Sequence, residues 1–136
     1  MKKRFSLLSF LALVMVLLSS CETTEPPTPA ENLTGKWIIQ SSELLGAVIP
    51  GDGSYLRFNA CTDTQCTGED FEATDGTSGT FTYDLSDDAT TITIVDTTND
   101  GGNYDATWDI LELTETDFRI EGNTLFGSFK VEMTKE

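Results

Sequence analysis

The chain predicts an all-β fold, an eight-stranded antiparallel meander closed into a β-barrel, with a two-sheet β-sandwich as the alternative. Three observations carry that expectation. Eight stretches between residues 33 and 136 alternate apolar with polar residues or run β-branched. Turn-forming residues separate most of them. No stretch after residue 20 holds a helical period over three turns, SSELLGAV at 41–48 being long enough only for a short helix. Closing eight strands into a barrel also removes the exposed edges that endanger an all-β protein.

The chain opens on MKKR and continues as FSLLSFLALVMVLL, an apolar run over residues 5–18 broken only by Ser6 and Ser9. At ~1.5 Å per residue the run makes about 21 Å of helix, short of the ~30 Å a span must cross. Residues 1–20 therefore read as an export signal and not as an anchor helix. The LSSC that closes it resembles the lipobox of bacterial lipoproteins. That resemblance implies cleavage before Cys21, a diacylglycerol on its sulfur and an acylated new amino terminus; several acyl chains hold where one holds only marginally. An ordinary secretory signal containing a cysteine is the alternative. Residues 21–32, CETTEPPTPAEN, follow as a flexible tether, with three prolines and no large apolar residue to offset the entropy of ordering. At the polyproline rise of ~3.1 Å, ten such residues reach about 31 Å.

Residues 33–136 make one domain. Its strands are read at 36–44 (KWIIQSSEL), 54–61 (SYLRFNAC), 66–74 (CTGEDFEAT), 79–85 (GTFTYDL), 90–97 (TTITIVDT), 104–113 (YDATWDILEL), 117–122 (DFRIEG) and 125–134 (LFGSFKVEMT). Turns are read at 49–53 (IPGDG), 62–65 (TDTQ), 74–79 (TDGTSG), 85–89 (LSDDA), 98–102 (TNDGG), 114–116 (TET) and 122–123 (GN). Connections this short favour antiparallel neighbours.

Removal of the signal takes three of the eight basic residues and leaves Lys36, Arg57, Arg119, Lys130 and Lys135 against 23 acidic ones, a net charge of −18. Nucleic acid is thereby excluded as a partner. Anionic lipid repels such a chain too, so the lipid on Cys21 and not electrostatics is what would hold it at a membrane. The acidic surface serves solubility, or steers a basic protein partner.

LTGKWIIQSSEL at 33–44 resembles the Gly-x-Trp opening of lipocalins. YLRFNA, GTFTYD, ATTITIVD and ILELTETDFRI follow in the order and spacing of small bacterial lipocalin-like lipoproteins. The resemblance spans nearly all of residues 33–136. It implies a barrel whose tryptophan packs across the closed end against an arginine from a late strand. Trp37 matches that tryptophan; Arg119 is the loose match for the arginine, since its neighbours Phe118 and Ile120 take the inward face. The other signature motifs of larger lipocalins are missing, and no C-terminal helix is read.

Alternation assigns the interior. Trp37 and Ile39 face in, with Leu56 and Phe58, Phe81 and Tyr83, Ile92 and Ile94, Trp108 and Ile110, Phe118 and Ile120, and Phe129, Val131 and Met133. Within WDILEL, Trp108 and Ile110 share one parity and Leu111 and Leu113 the other, which implies a bulge or two buried faces. An interior of this size is filled by its own side chains or holds one small ligand. For a ligand, the candidate residues are Trp37, Phe58, Phe81, Tyr83, Trp108 and Phe118 on the lining, with Tyr55, Arg57 and Tyr104 as polar contacts near the mouth.

CTDTQC leaves Cys61 and Cys66 as an even pair once Cys21 is lipidated. If 62–65 form a four-residue hairpin loop, the two cysteines face each other at ~4.5 to 5.5 Å between α-carbons, within disulfide range. A reduced buried pair is the alternative; two thiolates alone are at most half a zinc site.

Catalysis has little to work with. The absence of histidine removes Ser-His and Cys-His nucleophilic systems and histidine metal sites. The carboxylates are scattered, and no pair is singled out by spacing. Asp96, Thr98 and Asp100 before Gly101 partly resemble a calcium loop, but Thr107 stands where its twelfth-place acid belongs. A hairpin turn on Asn99, Asp100, Gly101 and Gly102 accounts for the same residues. The expectation is a non-enzymatic, cofactor-free binding protein, lipid-anchored to the outer membrane of the cell envelope, that holds a small apolar or amphipathic ligand. The alternatives are a protein-interaction or inhibitor module using its acidic surface against a basic partner, and a structural envelope component.

Overall fold

Antiparallel pairing runs from strand to strand around a closed ring in the computed structural model, which describes residues 25–98, 104–124 and 127–136. The strands are β1 (Gly35–Leu44), β2 (Ala47–Pro50), β3 (Tyr55–Phe58), β4 (Thr67–Glu72), β5 (Thr77–Leu85), β6 (Thr91–Asp96), β7 (Ala106–Leu113), β8 (Asp117–Thr124) and β9 (Gly127–Lys135). Eight of them, β1 and β3 to β9, form the expected meander barrel, closed where β9 pairs with β1. The ninth, β2, was not expected. It pairs with the second half of β1, Ser41↔Pro50 to Leu44↔Ala47, while β3 pairs with the first half, Gly35↔Phe58 to Ile38↔Tyr55. SSELLGAV is thus half of a hairpin and not a short helix. Leu45 and Gly46 turn it with φ of 54° and 81°, the left-handed pair that a tight two-residue hairpin demands.

Two further segments depart from expectation. The end of the tether is ordered as α1 (Pro29–Leu33). Thr28 caps it by accepting from the Glu31 amide, Glu31 returns a bond to the Thr28 amide, and Pro29 opens the first turn. Gly122 and Asn123, read as a turn, lie inside β8 opposite Phe129 and Ser128. The signal, Cys21 and the turn on Asn99 to Gly102 lie outside the described residues.

Bulges set which side chains point inward. The β1–β9 register slips between Ile39 and Ser41, so that Trp37 and Ile39 face in below the slip and Ser42 and Leu44 above it, opposite Val131 and Phe129. The slip in β7 between Ile110 and Glu112 leaves Leu111 exposed and turns Leu113 towards Phe118, so the phase change in WDILEL is a bulge.

The inward set forms one core. Trp37, Leu56, Phe118, Ile92 and Ile120 are fully buried, and Phe58 packs edge-on to Phe81, Tyr83 and Phe118 at ring separations of 5.4, 5.1 and 5.9 Å. Leu33 of α1 plugs one end of the barrel above Trp37, whose indole nitrogen donates to the Leu33 carbonyl at 2.7 Å. The aromatic side chains of this lower half fill the interior with one another.

The disulfide between Cys61 and Cys66 is present, with α-carbons 4.2 Å apart. It lies beyond the strand ends, inside the β3–β4 loop at the closed end. There Thr62 and Gln65 make the turn, and the Tyr83 hydroxyl donates to the Asn59 carbonyl at 2.6 Å.

Candidate functional site

The opposite end of the barrel is differently built among the described residues. It is rimmed by the β1–β2 and β4–β5 hairpins and by the 51–54 segment between β2 and β3. Gly51 runs so close to β1 that a Cβ there would lie 2.0 Å from the Ile39 carbonyl oxygen, and its amide donates to the Gln40 carbonyl at 2.7 Å. That contact folds the segment over the rim. Asp52 then fastens it: one carboxylate oxygen accepts from the Ser54 amide (3.0 Å) and hydroxyl (2.6 Å), the other from the Thr74 hydroxyl at 2.7 Å. Ser54, nearly buried, accepts from the Ala73 amide at 2.9 Å. These bonds to its charged form hold the Asp52 carboxyl down at about 2.

A cleft of about 310 Å³ opens between this segment and the barrel wall. Its apolar side is Ile39, Ile49, Pro50 and Phe129; its polar side is Ser42, Asp52, Ser54, Glu72 and Thr74, with Tyr104 completing the wall. The carboxylates arise from β-pairing. Leu56 and Phe58 face in, and their partners on β4 are Asp70 and Gly68, so the inward face of that strand runs glycine, aspartate and then Glu72 towards the rim. Asp96 of β6, opposite inward-facing Phe81, joins the same face. Burial pushes the Asp70 carboxyl up, and the charges of Asp96 and Glu72 add to the rise. Burial also pushes the Tyr104 hydroxyl far up, with Glu72, Asp70 and Asp52 contributing, so it stays protonated.

Among the sequence candidates, the structure brings only Tyr104 to this cleft. Trp37, Phe58, Phe81, Tyr83 and Phe118 belong to the packed lower core. Trp108 stands behind the cleft, its ring 6.2 Å from Tyr104 and 5.9 Å from Phe129, its indole nitrogen donating to the Tyr104 carbonyl at 2.9 Å. Tyr55 and Arg57 are placed on the outer wall, because they alternate with inward Leu56 and Phe58. Tyr55 stacks on Phe71 at 5.3 Å, and Arg57 pairs with Glu69 at 2.8 Å. Arg119 is outside too, paired with Glu112 at 2.7 Å. The cation over Trp37 is instead Lys135, its Nζ 5.1 Å from the ring centroid and donating to the Asn32 carbonyl at 2.7 Å.

Asp52, Ser54, Glu72 and Phe129 were not read as site residues. The DGS of 52–54 carries the signal for the first two, an aspartate two residues before a serine whose amide it accepts. Among the described residues no group of three His, Cys, Asp or Glu side chains is arranged to hold a metal ion.

No curated protein matches the chain. A solved structure of a lipocalin-like protein from Bacteroides uniformis ATCC 8492 superposes with a TM-score of 0.56 at 18% identity, covering 77% of this chain and 99% of that one, a likeness in fold. The family model of the lipocalin-like domain matches residues 33–120, from the end of α1 into β8 and over more than half of the chain, and the chain belongs to that family.

Proposed function

We propose that this protein is a lipid-anchored binding protein of the bacterial cell envelope that takes a small apolar or amphipathic molecule at the end of its barrel opposite α1. The observation that carries the reading is the rim cleft, which joins an apolar wall to a polar one at a volume suited to a small molecule. The packed lower core directs binding to the rim and away from the floor, where Leu33, Trp37 and Phe118 leave no room. A fold that serves binding in its family, without a constellation for chemistry among the described residues, agrees with a role other than catalysis.

The anchor belongs to the proposal through Cys21 and the LSSC before it. Since α1 enters the barrel at its closed end, a tether from Cys21 would present the cleft away from the lipid surface, towards whatever diffuses past. Intact mass of the membrane-extracted protein tests the anchor: a chain starting at Cys21 with acyl mass is expected. A chain starting elsewhere, without acyl mass, overturns it. Native mass spectrometry after gentle purification tests the binding role, with a small molecule expected at one equivalent. Loss of that molecule on Ile39→Asp but not on Arg57→Ala would place it at the rim; the reverse pattern would refute the site.

A further inference from the structure

We propose that the β1–β2 hairpin is a docking knob for a second protein, one that presents a basic groove with an apolar floor and closes on Leu45 and Val48. This surface is separate from the rim cleft. Ile49 lines the cleft, whereas Val48 alternates with it and shares the outer face with its cross-strand partner Glu43.

Three observations converge on the knob. The first is exposure. Leu45, Val48 and Ile49, at 73, 66 and 54%, are three of the five large apolar side chains left exposed among the described residues, and all three lie on this one hairpin. Every residue of β2 is exposed whichever way it points, and β2 pairs with β1 alone among the described residues. The ribbon therefore stands clear of the wall with apolar side chains on both faces. Single exposed apolar residues are ordinary; a contiguous run marks a surface that another molecule covers.

The second is the conformation of Leu45. Its φ of 54° lies in the left-handed region, where asparagine, aspartate or glycine would turn the hairpin more easily. One of its methyl groups reaches over Gly127, yet most of the side chain stays in water. Backbone strain and exposed hydrocarbon thus coincide at one residue, and neither serves folding. Strain kept where the fold does not profit from it points to a function outside the fold.

The third is charge, which selects the occupant. Residues 44–51 carry none, Glu43 and Asp52 bracket them, and Glu43 and Glu132 flank Val48 with one cation, Lys130, between. An apolar centre inside an acidic rim, on a chain with five basic against 23 acidic residues after the signal, is complementary to an apolar floor inside a basic rim. A second copy would bring like charge and set knob against knob, well short of the ~20 to 30 residues a side of a standard interface. A groove instead covers both faces of the ribbon. Lipid fits no better. Anionic head groups repel the chain, and in a chain anchored through Cys21 the hairpin, at the end opposite α1, points away from its own bilayer.

The test is photo-crosslinking of the full chain in the cells that make it, with a benzophenone side chain in place of Val48 and, as control, in place of the exposed Asp87 in the β5–β6 turn at the closed end. One other protein, a basic one, should crosslink from position 48 and not from 87. That protein, purified, should bind the full chain in biolayer interferometry, and Leu45→Asp and Val48→Ser should each weaken binding about tenfold or more, a hot-spot loss. Glu43→Gln and added salt should slow association more than they speed dissociation. Both apolar side chains are exposed, so these variants should melt close to the parent. Leu45→Asn should bind as weakly while melting higher, because asparagine tolerates the left-handed turn. A lower Tm for Leu45→Asn would show that Leu45 serves the fold and would overturn the assignment. So would a crosslinked dimer of this chain, a lipid adduct, an acidic partner, equal products from both positions, no product, or a partner indifferent to Leu45→Asp.

Discussion

Trp37→Phe probes the closed end with one substitution whose cost can be worked from its contacts. The indole is fully buried, 5.4 Å from the Phe118 ring, bonded to the Leu33 carbonyl at 2.7 Å and overlain by Lys135. A phenyl ring keeps most of the apolar contact but is smaller, and the space left behind costs about 1 to 2 kcal/mol. The Leu33 carbonyl loses its donor inside the plug, a further ~1 to 2 kcal/mol. The weaker attraction of Lys135 for a phenyl ring adds a few tenths. Together these predict a loss of about 2 to 4 kcal/mol, or a fall in Tm of roughly 10 to 25 °C for a domain of this size. Guanidinium unfolding followed by far-UV circular dichroism reads it directly, with an unchanged denaturant slope as the sign that the same surface is exposed. A loss below about 1 kcal/mol would refute the account, since it would mean that α1 does not seat on Trp37.

Gly122→Ala should destabilise by about 1 to 3 kcal/mol, because its Cβ would stand 2.8 Å from the Trp108 ring; a neutral result in thermal melts would show that the ring does not lie on β8. Cys61→Ser with Cys66→Ser should cost about 2 kcal/mol and leave the far-UV spectrum intact, as the bond closes a short loop at the barrel's end; thiols that react under denaturing conditions before any reductant, in protein taken from an oxidising compartment, would contradict the bond. Asp70→Asn tests the inward acids through pH. Because the folded chain raises this carboxyl, ionising it opposes folding; the cost is absent below the usual carboxylate range and grows as pH rises through the raised value. The variant should therefore match the parent near pH 3 and exceed it in stability at pH 7, and an equal difference at both would dispose of the argument.

Much of the barrel is written in alternation that one strand can display alone. Leu56 and Phe58, Phe81 and Tyr83, and Ile92 and Ile94 declare their inward face without reference to a partner, and the parity break at Leu111 announces its bulge. Elsewhere the signal is present but ambiguous. TPAE at 28–31 spells a capping box, yet inside a proline-rich stretch it reads equally as spacer. Gly122 carries the mark of a turn, whereas its lack of a side chain serves to admit the Trp108 ring. The β1–β2 hairpin is hidden because Leu45 takes a left-handed conformation that no local preference predicts. The candidate site is the least legible part. Asp70 and Glu72 interrupt the apolar pattern of an inward face, and only pairing with β3 shows where they point. Nothing along the chain says that 51–54 folds over the rim; that follows from the approach of Gly51 to Ile39. Tyr55 and Arg57, on the other hand, were already set outward by their parity against Leu56 and Phe58.

The two tryptophans, Trp37 under α1 and Trp108 behind the rim, divide the molecule optically. Each indole donates to the carbonyl four residues earlier in the chain, so each is held still, but in different surroundings: one sealed among Leu33 and Phe118, the other touching Tyr104 and Phe129, which line the cleft. Emission from Trp108 should respond to whatever enters the mouth, while Trp37 keeps its colour and intensity until the barrel itself opens. The protein thus carries an intrinsic sensor together with its own reference, and single-tryptophan variants would separate occupancy from unfolding without an added dye.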